Sequence, residues 1–110
     1  MSYRLVQTPG FARQSRRLDR KYPSWPDDLA GLLAELAENP LAGSALERGC
    51  YKVRVAIASK GKGKSGEGRV ITLVKQIGET ILLLAVYDKS ERENLAPGEL
   101  DVLLAATGLD

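Results

Sequence analysis

Hydrophobic positions recur with two different periods along this chain, and the change of period divides it. From Pro9 to Glu38 the period is helical. Phe11, Ser15, Leu18 and Tyr22 make a thin apolar stripe, and Leu29, Leu32, Leu33, Leu36 and Ala37 follow at i, i+3, i+4, i+7 and i+8. Thr8 is placed to cap the first helix, with Pro9 in its first turn. Pro23 stops that helix. Ser24 starts the second, with Asp27 three residues on as a capping-box partner, and Asn39-Pro40 ends it. Trp25, between the two, is expected to pack between the helices.

Outside this region the period is two. Ser2 to Gln7 alternates as a short first strand. Leu41 to Gly49 reads as a connection of small residues. Cys50 to Ile57 places Tyr51, Val53, Val55 and Ile57 on one face and Lys52, Arg54 and Ala56 on the other. Ala58 to Gly68 is a Gly/Lys loop, and Arg69 to Gln76 is a further strand. Thr80 to Tyr87 contains ILLLAV, apolar at consecutive positions, which predicts a central strand covered on both faces. A charged turn, Asp88 to Asn94, leads to a short helix over Pro97 to Ala106. The order predicts an α+β fold: a small antiparallel-dominated sheet, two N-terminal helices layered on one face, and a short C-terminal helix. Residues 1–110 are expected to form one domain, since a chain of this length buries about two-thirds of its unfolded surface.

Charge changes this picture more than composition does. The formal net charge is +2. Between Arg48 and Arg69, however, stand Arg48, Lys52, Arg54, Lys60, Lys62, Lys64 and Arg69, with Glu67 as the only acid. The exposed face of the first helix adds Arg13, Arg16, Arg17, Arg20 and Lys21, a solvated face or a second basic surface for ribosomal RNA or an acidic partner. A cationic strand face beside a lysine-bearing loop is the electrostatic footprint of a polyanion site. The chain has no histidine and one cysteine, Cys50. Ser-His-Asp triads, paired-histidine catalysis and histidine-containing zinc sites are therefore excluded, and neither a metal nor a cofactor is expected. The lone cysteine fits a reducing compartment. The longest apolar run, Ile81 to Tyr87, is too short to span a bilayer, and no leader-like start is seen, so a cytoplasmic protein is expected. Gly63-Lys64-Ser65 matches the end of a phosphate-binding loop, but the motif needs glycine where Ala58 stands and a helix where a strand follows.

Two segments carry a family resemblance. VRVAIASKGKGKSGEGRVITLV resembles the strand and Gly/Lys loop, ending in a K-S-G-G-x-R-V-like run, of the RelE/ParE superfamily of bacterial toxins. Tyr87-Asp88-Lys89-Ser90-Glu91-Arg92-Glu93-Asn94-Leu95 resembles the Y-x-K-S-E-[KR]-E-N-L turn of its HigB-2-like branch. The resemblance implies a type II toxin–antitoxin toxin with the RelE-like fold: a metal-independent, ribosome-dependent mRNA endonuclease that inhibits translation. Its partners would be a cognate antitoxin, mRNA in the ribosomal A site and ribosomal RNA. A ParE-like gyrase inhibitor, and an RNA-binding member of weak activity, are the alternatives. In such a nuclease the RNA 2′-hydroxyl attacks the adjacent phosphorus, so the protein must move protons and stabilise charge. Arg69 is expected to stabilise the phosphate, with a guanidinium fork that stays charged. Lys89 matches the lysine of the Y-x-K-S-E turn. Glu91 or Tyr87 would be its catalytic partner, with base and acid left open. Lys52, Arg54, Lys60, Lys62, Lys64 and Arg92 are expected to hold the RNA. Glu67 departs from the family pattern and is read as a carboxylate that weakens the local cationic field.

Overall fold

The fold was obtained as a computed structural model that describes residues 2–60 and 66–108. The chain runs β1 (Arg4–Gln7), α1 (Pro9–Lys21), α2 (Trp25–Glu38), β2 (Ser44–Ala45), β3 (Cys50–Ala56), a 3₁₀ turn (Ala58–Lys60), β4 (Glu67–Lys75), β5 (Thr80–Asp88) and α3 (Glu99–Ala106). The five strands form one sheet in the order β1-β5-β4-β3-β2. β1 pairs parallel to β5, and the remaining pairs are antiparallel. A parallel neighbour cannot be reached by a tight hairpin. The N-terminal helices follow β1, and β5 comes back beside it only after the meander.

The helices form for the reasons the periodicity gave, with one exception. Thr8 Oγ1 accepts the Phe11 amide at 3.2 Å and donates to the Leu83 carbonyl at 2.8 Å, so the cap of α1 is also its tether to β5. Trp25 is fully buried between the helices, and its indole donates to Ser15 Oγ at 2.9 Å. The capping box on α2 does not form. Ser24 has helical dihedrals and its hydroxyl caps no backbone group of α2; it donates to Asp28 Oδ2 at 2.6 Å and accepts the Ser59 amide at 2.8 Å. Its oxygen is committed to joining α2 to the end of β3.

Apolar residues fill both faces of the sheet. On one face Phe11, Leu18, Trp25, Leu32 and Leu36 of α1 and α2 pack on Val53, Val55, Val70, Val74, Ile81, Leu83 and Val86. On the other, Leu104 with Leu100 and Leu103 covers Cys50, Ile71, Leu73, Leu84, Ala85 and Tyr87. The third helix lies opposite the first two, because β5 offers an apolar surface on both sides. The Leu41–Gly49 connection contains the two-residue edge strand β2, paired with Tyr51 and Lys52.

A β-bulge decides where the charged end of β5 points. Ile71 pairs with Ala85 and Thr72 with Leu83, which leaves Leu84 as the extra residue. Ile81 and Leu83 face α1 and α2, whereas Leu84 and Ala85 both belong to the opposite cluster. Beyond the bulge the alternation resumes out of phase. Val86 faces the helices and Tyr87 the opposite side. The edge of β5 left bare past β1 is completed by Gln14, whose Oε1 accepts the Val86 amide at 2.9 Å.

Candidate active site on the sheet face opposite the N-terminal helices

Cross-strand partners share a face, so the register of β3, β4 and β5 assembles the site. Arg54 stands opposite Arg69, and Arg69 opposite Tyr87, giving one row across three strands. Glu67 lies two residues before Arg69 on β4 and therefore on the same face. The Lys89 amide donates to the Glu67 carbonyl at 3.1 Å, which draws Lys89 alongside as the next rung. Lys52, opposite Ile71, extends the cationic strip along β3. Lys52, Arg54 and Arg69 share a cleft of about 340 Å³ with Gly43 and Ser44.

Carboxylates meet the strip at Arg69 and Lys89, and Glu35 also lines the cleft. Arg69 is largely buried, and its Nη1 donates to Glu67 Oε1 at 3.0 Å and to the Gly68 carbonyl at 3.3 Å. Lys89 Nζ stands 4.0 Å from the same Glu67 oxygen and 4.0 Å from Glu93 Oε1. Tyr87 is buried at the end of the row, its hydroxyl donating to the Glu93 carbonyl at 3.2 Å. Burial pushes the phenol above its ordinary range, and Arg92 and Arg69 offset this only in part. Tyr87 therefore stays protonated at neutral pH, suited to donating a proton or a hydrogen bond rather than to abstracting one.

Other residues singled out from the sequence lie elsewhere. Arg92 forms a two-point pair with Glu99, at 2.6 and 2.8 Å, and sits 4.5 Å from the centre of the Tyr87 ring. It pins the turn to the start of α3 and roofs the tyrosine. Glu91 is paired with Arg17 of α1, away from Arg69 and Lys89, so it does not join them. Lys52 Nζ donates to Asn94 Oδ1 at 2.8 Å. Lys62 and Lys64 lie outside the described residues. Lys60 is not part of an open lysine rail. Its ammonium turns inward to Asp88 and also donates to Ser90 Oγ at 3.3 Å.

Asp88 is the group that sequence reasoning missed. It is fully buried on the helix side of the sheet, opposite Gly68. Its carboxylate accepts Lys60 Nζ, Tyr22 Oη, the Ser90 amide at 2.9 Å and Ser90 Oγ at 2.7 Å, and Lys21 Nζ lies 3.7 Å away. Burial acts to raise its pKa, but the bonds from Lys60, Tyr22 and Ser90 outweigh it and hold the carboxyl well below the usual range. Gly68 makes the approach possible: a Cβ there would meet the Tyr87 carbonyl and Val55, each at 3.3 Å. This knot joins the α1–α2 corner, the end of the 3₁₀ turn and the end of β5, immediately behind Lys89. Its one sequence signal was an acidic residue inside an otherwise apolar strand end.

Among the described residues no cluster of cysteine and carboxylate side chains has metal-holding geometry, and no helix is long and apolar enough to cross a membrane. Among the solved structures that share the fold, two illustrate it. A double arginine-to-alanine variant of the E. coli toxin RelE, in the free state, aligns over 96% of this chain and 94% of its own, with 17% identity and a TM-score of 0.60. The toxin–antitoxin complex RelBE2 of Mycobacterium tuberculosis has a chain that aligns over 80% of this one and 99% of its own, with 22% identity and a TM-score of 0.54. At these identities the likeness speaks for the fold. The sequence itself matches, over residues 10–109, the family described as RelE toxin of the RelE / RelB toxin-antitoxin system. On that match, which spans nearly the whole chain, the protein belongs to the RelE toxin family.

Proposed function

We propose that this protein is the toxin of a type II toxin–antitoxin pair that acts in the cytoplasm by cutting mRNA on the translating ribosome. The observation that carries this reading is the row Arg54–Arg69–Tyr87 with Lys89 beside it, a cationic strip on the sheet face with a buried phenol at its end. A scissile phosphate placed against the Arg69 guanidinium would have its developing charge met by a fixed fork donor. Lys52 and Arg54 would hold the flanking backbone phosphates along β3. Lys89 and Tyr87 would supply the proton to the departing 5′-oxygen. The 2′-hydroxyl supplies the nucleophile, which leaves the protein with positioning, charge stabilisation and proton transfer.

The RelBE2 complex supports a further element of the reading, a cognate antitoxin that restrains this chain. The Tyr87–Leu95 turn supports placing it in the HigB-2-like branch. The test is expression in bacteria with mapping of transcript 5′ ends. The wild-type chain should arrest growth and create new ends within translated frames, and Arg69→Ala combined with Lys89→Ala should abolish both. Arrest with intact transcripts and trapped gyrase–DNA complexes would favour the gyrase-inhibitor alternative instead.

A further inference from the structure

The nuclease reading requires a proton acceptor for the RNA 2′-hydroxyl, and the strip described above is made almost wholly of proton donors. Arg69 and Arg54 carry guanidinium groups, which donate hydrogen bonds and accept none. Tyr87 is held in its protonated form. Glu91 is engaged with Arg17 on the far side of the turn. Two carboxylates remain near Lys89, those of Glu67 and Glu93, each with an oxygen 4.0 Å from Nζ. They differ in two respects. Glu67 also accepts Arg69 Nη1 at 3.0 Å, whereas Glu93 does not touch Arg69 and stands largely in solvent. Both contacts to Glu67 use Oε1. Its Oε2 has no partner among the described residues, and the side chain is partly open to solvent, at 30% exposure.

We infer that Glu67 is the general base of this site, an inference that rests on the nuclease reading. Arg69 fixes one carboxylate oxygen, so the other is presented from the same point at which the guanidinium would grip the scissile phosphate. A nucleotide held by Arg69 thereby brings its 2′-oxygen within reach of Glu67 Oε2. The step balances on residues already present. The 2′-hydroxyl proton passes to the Glu67 carboxylate as O2′ bonds to phosphorus. The P–O5′ bond breaks, and the 5′-oxygen takes a proton from Lys89. The products are a 2′,3′-cyclic phosphate and a 5′-hydroxyl. Glu67 then holds the proton that Lys89 has lost, and one water bridging the 4.0 Å between them would return it. The acid that looked from the sequence like a dilution of the cationic field becomes the group that starts the reaction.

The test uses purified chain and programmed ribosomes, comparing wild type, Glu67→Gln, Glu67→Asp and Lys89→Ala. Glutamine keeps an oxygen that accepts from Arg69, so the strand end stays supported, and circular dichroism and thermal melting confirm the fold. Glu67→Gln should slow cleavage by about 100-fold or more, the range of general-base catalysis, and Glu67→Asp should recover part of the rate. An mRNA with sulfur in place of the bridging 5′-oxygen supplies a leaving group that needs no proton. It should rescue Lys89→Ala and leave Glu67→Gln defective, a split that loss of packing would not produce. A folded Glu67→Gln chain that cleaves as fast as wild type, or faster, overturns the assignment while leaving the nuclease reading intact. So does rescue of Glu67→Gln by the sulfur substrate, which would make Glu67 a proton donor. A wild-type chain that leaves ribosome-bound mRNA whole overturns the nuclease reading and the assignment with it.

Discussion

Lys60 and Asp88 face each other across the back of the sheet as an ion pair almost closed to solvent, with side-chain exposures of 9% and 0%. The pair ties the residue that ends the 3₁₀ turn to the last residue of β5. Tyr22 and Ser90 fill the remaining acceptor positions of the carboxylate. A buried pair of this kind costs desolvation to form, but losing one partner strands the other charge. Asp88→Ala should therefore destabilise the fold by about 3–5 kcal/mol, read as a lower urea midpoint. Lys60→Met should cost less, because Tyr22, Ser90 and Lys21 still attend the carboxylate.

The same carboxylate sets the response to acid. A carboxyl with a depressed folded-state pKa contributes stability above its unfolded pKa, near 3.9 for aspartate, and that stability is lost as pH falls further. Glu99, lowered chiefly by its hydrogen bond from Arg92, acts in the same direction. Unfolding midpoints should hold steady near neutrality and fall steeply below about pH 4. Asp88→Asn should be less stable at pH 7 and show a flatter acid slope. An unchanged slope in that variant would place the acid sensitivity elsewhere.

Thr72 sits in the β4 stretch facing the bulge, and its hydroxyl is buried with no hydrogen-bond partner among the described residues. Thr72→Val keeps the shape and removes the unsatisfied oxygen. It should raise stability by about 1 kcal/mol, a shift measurable by thermal melting.

Lys52 and Arg54 hold RNA backbone in this account and take no part in proton transfer. Lys52→Ala or Arg54→Ala should weaken binding to single-stranded RNA without regard to sequence. Each should also reduce the log–log salt dependence by about 0.7, the contribution of one phosphate contact. Fluorescence anisotropy across a salt series reads both effects.

Much of the architecture could be read from local pattern, because the helices and long strands are built from residues whose period matches their burial. Trp25 between the helices and Thr8 at the first cap are such cases. Departures arose where a long-range partner decided. Ser24 gives up capping because Ser59 and Asp28 claim its hydroxyl. Ser44 and Ala45 become a strand only because Lys52 and Tyr51 lie opposite. At the site, Arg69, Tyr87 and Lys89 do come together, since motif and register agree. Lys60 could not be told from a loop lysine, because even spacing says nothing about where an ammonium turns. The bulge at Leu84 has no signature in ILLLAV, yet it sends Asp88 toward the N-terminal helices and Tyr87 to the opposite face. Glu67, not Glu91, stands beside Arg69 for the same reason: proximity to Arg69 is a property of the sheet.

The central claim is that Arg69 and Lys89 form the reacting centre of a nuclease. It is met most directly by mapping 5′ ends of mRNA after adding wild-type chain, or the Arg69→Ala, Lys89→Ala double variant, to a translating bacterial extract. The account predicts new ends at ribosome-occupied codons with wild type and none with the folded double variant. Identical ends from both would contradict it.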